Sequence, residues 1–380
     1  MVKATVLLAS LTATLKSLWY GGSPFAGYTA LWPTGPDGKW SIQAEGIRLV
    51  FTNANGGAPT NLFMNDTNGN EIDLILGLDN PKDYVNYIGQ LGGTIGRVAG
   101  HISNASFSIN GKEYHTSPNG NNGSTTYNGG VNGWERVTFD VASHNENSLT
   151  FVVFDRGNNG FPGNSGSSLT HSVYPYEWRI SYGVTPTRTR DPVPINLSHR
   201  TYWNLDGFRK GSETVEEHRL HLPFSGFRLE EDENQIPTGD LKGNKPGSEF
   251  DFWSSPKLLA GGLARKGSYD DLFLVNRHQP WEVGSNPVAS LSSAKSGITV
   301  DMYTDQEAVR LVTWDNSKAT NLTLKAAQGG SKVQKNAAIS MEMMDWPDAL
   351  HHPEWQRDKH ILYGPDRLMT TFSSFKFSVA

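Results

Sequence analysis

The sequence contains no cysteine. This absence excludes disulfide bonds, cysteine-ligated zinc and a thiol nucleophile. Basic clusters are missing as well, because 33 Lys and Arg residues stand against 38 Asp and Glu residues, for a formal net charge of -5. We therefore expect no nucleic-acid partner. Beyond the N-terminus, no apolar run is long enough to span a bilayer, so we expect no membrane partner either.

The sequence also lacks any sustained helical period. It has instead many short runs of β type, separated by turns to which 40 glycines and 20 prolines contribute. One hairpin is predicted in detail, with strands at residues 106–109 and 112–114 joined by the two-residue turn Asn110-Gly111. This pattern predicts an all-β protein built as one large antiparallel β-sandwich. Further strands are predicted at residues 137–141, 148–155, 170–184, 195–202, 218–222, 297–303, 309–314, 337–343 and 368–379.

The N-terminus has one positive charge at Lys3, followed by a short apolar run from Ala4 to Leu15 and small residues near Ala13. This arrangement is typical of a secretory signal, although a clean cleavage site is missing. We therefore expect residues 1–20 to be a signal peptide and residues 21–380 to form a single domain. Secretion is the expected localisation, and a cytoplasmic protein with a frayed N-terminus is the alternative.

Seven segments, in order along the chain, resemble the motifs of the aldose 1-epimerase (galactose mutarotase) family. Any one of them is a weak signal, but seven in the right order are specific. They are LGGTIGRVAGHI (91–102), NNGSTTYNGG (121–130), DRGNNGFPG (155–163), INLSHRTYWNL (195–205), YDDLF (269–273), YTDQ (303–306) and SMEMMDWPDA (340–349). The resemblance implies a β-sandwich of the galactose-mutarotase type that binds a free sugar in an open cleft.

The resemblance also implies a reaction, the interconversion of the α and β anomers of an aldose. A base removes the proton of the anomeric hydroxyl while an acid protonates the ring oxygen, so that the ring opens and recloses on the other face. The family uses a glutamate as base, a histidine as acid, and neither a metal nor an organic cofactor. Carried over by position, the base is Glu342 and a sugar-holding aspartate is Asp270.

Three other positions depart from the family's pattern. The loop histidine is replaced by Asn128, which cannot titrate, and a sugar-binding arginine is replaced by His101. The acid histidine is replaced by Arg200, which keeps its proton at physiological pH, and His199 stands one residue earlier. Neighbouring residues of a strand point to opposite faces, so His199 reaches the site only through a bulge or a register shift. His101 is the other candidate acid.

The candidate catalytic residues are therefore Glu342, Arg200, His199 and His101. The candidate sugar-binding residues are Asp270, Asn128, His101, Arg97 and Trp203, although a tryptophan such as Trp203 is more often a core residue than a sugar platform. No metal site is expected, since the adjacent His351 and His352 have no evident third ligand nearby.

Three functions remain open from the sequence. The first is an aldose 1-epimerase acting on a free aldose of the glucose and galactose class. The second is a carbohydrate-binding protein on the same scaffold that has lost its proton donor. The third is a glycoside hydrolase or lyase with Asp270 and Glu342 as its carboxylate pair. In each case the partner is a small-molecule sugar, and the chain is expected to be a monomer or a weak dimer.

Overall fold

The structure is a computed structural model. It describes residues 33–380 apart from residues 87–90, 188, 278, 280–281, 316–321 and 365. The candidate signal peptide, residues 1–20, lies outside the described residues. The strands of every described sheet pair antiparallel, which confirms the predicted fold class. Within the described ranges, no helix is long and apolar enough to cross a membrane.

The larger layer of the sandwich is a nine-stranded sheet. Its central strands are long and alternate between buried and exposed residues, as expected for a sheet that covers a core on one side only. In spatial order the strands are β10 (Asp140–His144), β11 (Ser148–Asp155), β12 (Asn164–Tyr174), β13 (Glu177–Thr187), β27 (Met369–Val379), β23 (Ile298–Thr304), β22 (Ala289–Ser292), β17 (Arg219–His221) and β20 (Lys257–Leu258).

A six-stranded sheet forms the second layer. Its second and third strands are buried at every position, so both of their faces are covered. In spatial order the strands are β16 (Tyr202–Trp203), β25 (Ile339–Met344), β24 (Ala308–Thr313), β21 (Asp270–Leu274), β18 (Phe227–Glu231) and β19 (Pro237–Gly243).

Smaller sheets complete the molecule, and the described helices are at most eight residues long. The hairpin predicted from Asn110-Gly111 is confirmed, since both turn residues have a positive φ, 54° and 77°. The remaining strands are β1 (Trp40–Ala44), β2 (Ile47–Phe51), β3 (Pro59–Asn65) and β4 (Glu71–Asp73) in one sheet, and the pairs β5 (Thr94–Ile95) with β15 (Ser198–His199), β6 (His101–Ile102) with β9 (Thr126–Tyr127), β7 (Ser106–Ile109) with β8 (Lys112–His115) and β14 (Val193–Pro194) with β26 (Leu362–Tyr363). The helices are α1 (Ala54–Gly57), α2 (Asp83–Asn86), α3 (Leu259–Lys266) and α4 (Asp358–Ile361).

The hydrophobic core lies between the two large sheets. Trp178 of β13 stacks on Phe375 of β27 with ring centroids 4.8 Å apart, and Trp203 of β16 packs on both rings. Leu311 of β24 and Met341 of β25 join the same cluster. Because side chains alternate along a strand, the residues next to Leu311 and Met341 point to the other face of the six-stranded sheet. We call this side the polar face, after the charged residues that it carries.

Candidate active site

Glu342 and Arg310 mark the centre of the polar face. Glu342 of β25 lies directly opposite Arg310 of β24 in the antiparallel register. Both are buried, yet each interrupts a strand that is otherwise almost entirely apolar. Charged side chains at such positions need partners, since an isolated buried charge is strongly destabilising. The site is therefore defined by the groups that neutralise these two residues.

Arg200 neutralises Glu342 with a two-pronged ion pair. Its Nε donates to Glu342 Oε1 at 2.6 Å and its Nη2 donates to Oε2 at 3.0 Å. Although burial opposes the charge, the carboxylate raises the pKa of Arg200 well above its ordinary value. A second contact fixes the two segments, because the Asn196 amide donates to the Asp345 carbonyl and accepts from the Asp345 N–H, both at 2.9 Å. The motif around Arg200 is thereby held in register with the motif around Glu342.

Arg310 is neutralised from its other side by two carboxylates. Its Nε donates to Asp270 Oδ1 at 2.7 Å, and its Nη1 donates to Glu231 Oε1 at 2.9 Å. These carboxylates raise the pKa of Arg310 despite its burial, whereas burial raises the pKa of Glu231. The side chain of Asp270 keeps 22% of its surface exposed, so it remains accessible to a ligand. The polar face thus holds two guanidinium groups and three carboxylates.

Tyr127 and His101 reach the site from β9 and β6. They are direct partners across these two strands, and their rings stack with centroids 4.5 Å apart. The Nδ1 atom of His101 lies 3.0 Å from Thr125 Oγ1, and the hydroxyl of Tyr127 accepts a hydrogen bond from Arg200 Nη2 at 3.4 Å. Burial, assisted by the nearby Arg310, lowers the pKa of His101 to about 4. His101 is therefore neutral at physiological pH.

The carboxylate of Glu342, the candidate base, is covered by other side chains. Glu342 has no exposed surface, and Arg200 is buried as well, whereas Tyr127 is partly exposed. The three residues form a layered arrangement, with Tyr127 outermost and Arg200 between it and Glu342. The cleft expected from the sequence is therefore not open at Glu342, because the side chain that replaces the family's histidine binds both carboxylate oxygens.

His199 lies on the opposite side of its strand from Arg200. Its ring packs against His171 and Trp178, with centroids 5.8 and 5.6 Å away, and its Nδ1 lies 3.2 Å from Thr201 Oγ1. Burial lowers the pKa of His199 to about 3. The structure thus shows neither the bulge nor the shift that would bring this histidine to Glu342, and His199 is a core residue.

Three other predicted site residues make structural contacts instead of lining the polar face. The guanidinium of Arg97 pairs with Asp155 at 2.8 Å, so the sequence-based assignment of Arg97 to sugar binding is corrected to a structural role. Trp203 is fully buried in the core, because the alternation of β16 turns it away from the polar face. The side chain of Asn128 accepts from the Gly100 N–H at 2.9 Å, and so supports the backbone just before His101.

Sequence reasoning missed two residues of the site. Arg310 carries the same signal as Glu342, a charge inside an apolar strand, and could have been found by it. Tyr127 lies in the motif NNGSTTYNGG (121–130), which is rich in Asn and Gly, and no local pattern there indicates which side chain turns inward. Among the residues that the structure describes, no group of three or more His, Asp or Glu side chains could hold a metal ion.

Comparison with known proteins relates the whole chain to one family. Residues 39–364 match the family described as aldose 1-epimerase. The chain is 46% identical to Epimerase FSL3 of Gibberella zeae, over 99% of this chain and 93% of that protein. It is 28% identical to the galactose mutarotase of Bos taurus, over 90% of this chain and 94% of that protein. A solved structure, the GalM/aldose epimerase homologue from C. elegans, aligns with a TM-score of 0.77 at 25% identity, over 90% of this chain and 99% of that one.

Proposed function

The chain belongs to the aldose 1-epimerase family, and from this premise we propose that it interconverts the α and β anomers of a free aldose of the glucose and galactose class. One observation carries the proposal. Glu342, at the position of the family's base, lies on the polar face beside Arg310, which holds the partly exposed Asp270. The candidate base and the candidate sugar-binding carboxylate thus lie on the same face of the six-stranded sheet.

In the proposed reaction, Glu342 removes the proton of the anomeric hydroxyl, and the bond between the anomeric carbon and the ring oxygen breaks as that oxygen is protonated. Asp270 accepts hydrogen bonds from other sugar hydroxyls. Because Glu342 has no exposed surface, the sugar reaches it only after the layer formed by Arg200 and Tyr127 moves aside.

The test is polarimetry on freshly dissolved α-D-glucose and α-D-galactose with the purified protein. We expect the protein to accelerate mutarotation, and Glu342→Gln to lower kcat by about 10²- to 10⁴-fold, the usual effect of losing a general base. The matched control is Glu71→Gln, the same exchange at an exposed residue of β4, which should leave kcat unchanged. Equal activity of wild type and Glu342→Gln would refute the assignment of the base.

A second function, sugar binding without catalysis, is favoured by the ion pair between Arg200 and Glu342. An arginine that keeps its proton cannot replace the titrating histidine of the family, and here it also holds the base. Calorimetric titration of the same sugars separates the two functions. Binding of glucose or galactose with no acceleration of mutarotation would establish a binding protein and refute the epimerase.

A further inference from the structure

The proposed reaction needs a proton donor, and the familiar candidates in this site cannot supply one. Arg200 and Arg310 have raised pKa values, because each is paired with carboxylates, and so they keep their protons. His101 has a pKa of about 4, since it is buried and near Arg310, and therefore carries no spare proton at neutral pH. The carboxylate of Glu231 is held in an ion pair by Arg310, whose Nη1 donates to it at 2.9 Å. None of these groups suits the role.

Tyr127 has the geometry that they lack. Nη2 of Arg200 is shared between Glu342 Oε2 at 3.0 Å and the Tyr127 hydroxyl at 3.4 Å. In the second contact the arginine donates, so the phenol oxygen accepts and its own proton is not used. No acceptor for that proton lies within hydrogen-bonding distance among the residues that the structure describes. Stacking on His101 fixes the ring, and the partial exposure of Tyr127 makes it the first group of this layer that a sugar meets.

We propose that Tyr127 is the proton donor to the ring oxygen, in place of the histidine that the family uses. This inference rests on the function proposed above. Glu342 takes the hydroxyl proton of the anomeric carbon, the electrons of that O–H bond form the carbonyl, and the bond to the ring oxygen breaks. Tyr127 gives its proton to that oxygen and becomes a phenolate, which the guanidinium of Arg200 stabilises. After rotation about the bond between the first two carbons, the same protons return and both residues are restored.

Arg200 then has a defined part in this arrangement. A cation that contacts both the base and the acid lowers the free-energy cost of the phenolate without itself exchanging a proton. With Arg200 at the position of the family's histidine, the proposed acid is Tyr127 instead of the residue at position 200. It also explains why a residue that cannot titrate occupies this position next to a base.

The decisive variant is Tyr127→Phe, which removes the hydroxyl and keeps the ring that stacks on His101. We expect kcat for mutarotation to fall by about 10²- to 10⁴-fold while KM stays within about threefold, because the step that is lost is proton transfer rather than binding. The matched control, Tyr174→Phe at an exposed residue of β12, should keep the wild-type kcat. Thermal unfolding confirms that each variant is folded.

A purely structural Tyr127 is distinguished by the split between kcat and KM and by His101→Asn. Loss of a structural contact would raise KM or lower the unfolding temperature of Tyr127→Phe, whereas loss of the proton donor lowers kcat alone. His101→Asn should cost less than about tenfold. Near wild-type kcat in Tyr127→Phe, with loss of activity in His101→Asn, would overturn this inference and leave the epimerase proposal standing. No acceleration by the wild type on either sugar would overturn both.

Discussion

Two of the buried arginine–carboxylate pairs, Arg97 with Asp155 and Arg200 with Glu342, differ in how many donors reach the carboxylate. Asp155 accepts a hydrogen bond from Arg97 Nε and forms an ion pair with Arg97 Nη2, and it also accepts from the Trp134 indole and the backbone N–H groups of Gly157 and Asn158. Glu342 accepts only from Arg200 among the hydrogen bonds of the described residues. The first carboxylate is saturated, whereas the second depends on a single side chain.

This difference separates a structural ion pair from one that can take part in chemistry. Arg97 has further partners as well, since its Nη1 also donates to the carbonyls of Pro162 and Gly163. The glycine-rich segment and the DRGNNGFPG turn are thus joined into one rigid unit. A sugar could not displace any of these bonds without leaving a buried charge unpaired. At Glu342, by contrast, movement of one arginine frees both oxygens of the carboxylate.

The largest loss of stability is expected from a substitution that breaks the pair between Arg97 and Asp155. Asp155→Asn should lower the free energy of unfolding by about 3–5 kcal/mol, because it leaves Arg97 as an uncompensated buried charge and turns an N–H₂ group toward other donors. The measurement is urea unfolding followed by tryptophan fluorescence. The matched exchange, Glu342→Gln, should cost less, since its new N–H₂ group faces the donors of one side chain only, whereas that of Asp155→Asn faces an arginine, an indole and two backbone N–H groups. Equal losses in the two variants would show that the number of donors does not distinguish the pairs.

The sequence predicted the parts of this comparison that depend on alternation. Because neighbouring residues of a strand face opposite ways, His199 and Arg200 could be assigned to different sides before the structure was known. The same rule would have assigned Trp203 to the core, had the face of its neighbour Tyr202 been known. What could not be predicted is the pairing of distant charges. The partner of Arg97 is 58 residues away, and nothing local to either residue indicates it.

A smaller effect on stability is expected from His199, the core residue next to Arg200 in the sequence. Burial lowers the pKa of His199 to about 3, against roughly 6.5 in an unfolded chain. Between these two values the unfolded state binds the additional proton, so stability falls as the pH decreases below about 6.5 and the fall ends near the folded pKa. For one such histidine the loss at pH 5 is about 2 kcal/mol.

The variant His199→Gln removes this proton site and keeps a polar side chain next to Thr201. Between pH 7.5 and pH 5, it should therefore lose about 2 kcal/mol less stability than the wild type. The control is His115→Gln, whose side chain is 74% exposed and which should follow the wild type. His171, buried beside His199, contributes in the same direction. Identical pH dependence in His199→Gln and wild type would contradict the assignment of His199 as a neutral core residue.

The smallest loss of stability is expected for an ion pair whose two side chains are both exposed to solvent. Arg48 and Glu71 join β2 to β4 at 3.0 Å with side chains 35% and 55% exposed, so the attraction is screened and the loss of either charge leaves no buried group unpaired. Glu71→Gln should change the free energy of unfolding by less than about 1 kcal/mol, measured by the same urea titration as Asp155→Asn. The variant keeps Arg48 stacked over Phe63, 4.0 Å from the ring centroid, so it tests the charge alone. A loss as large as that of Asp155→Asn would mean that burial is not what makes the saturated pair strong.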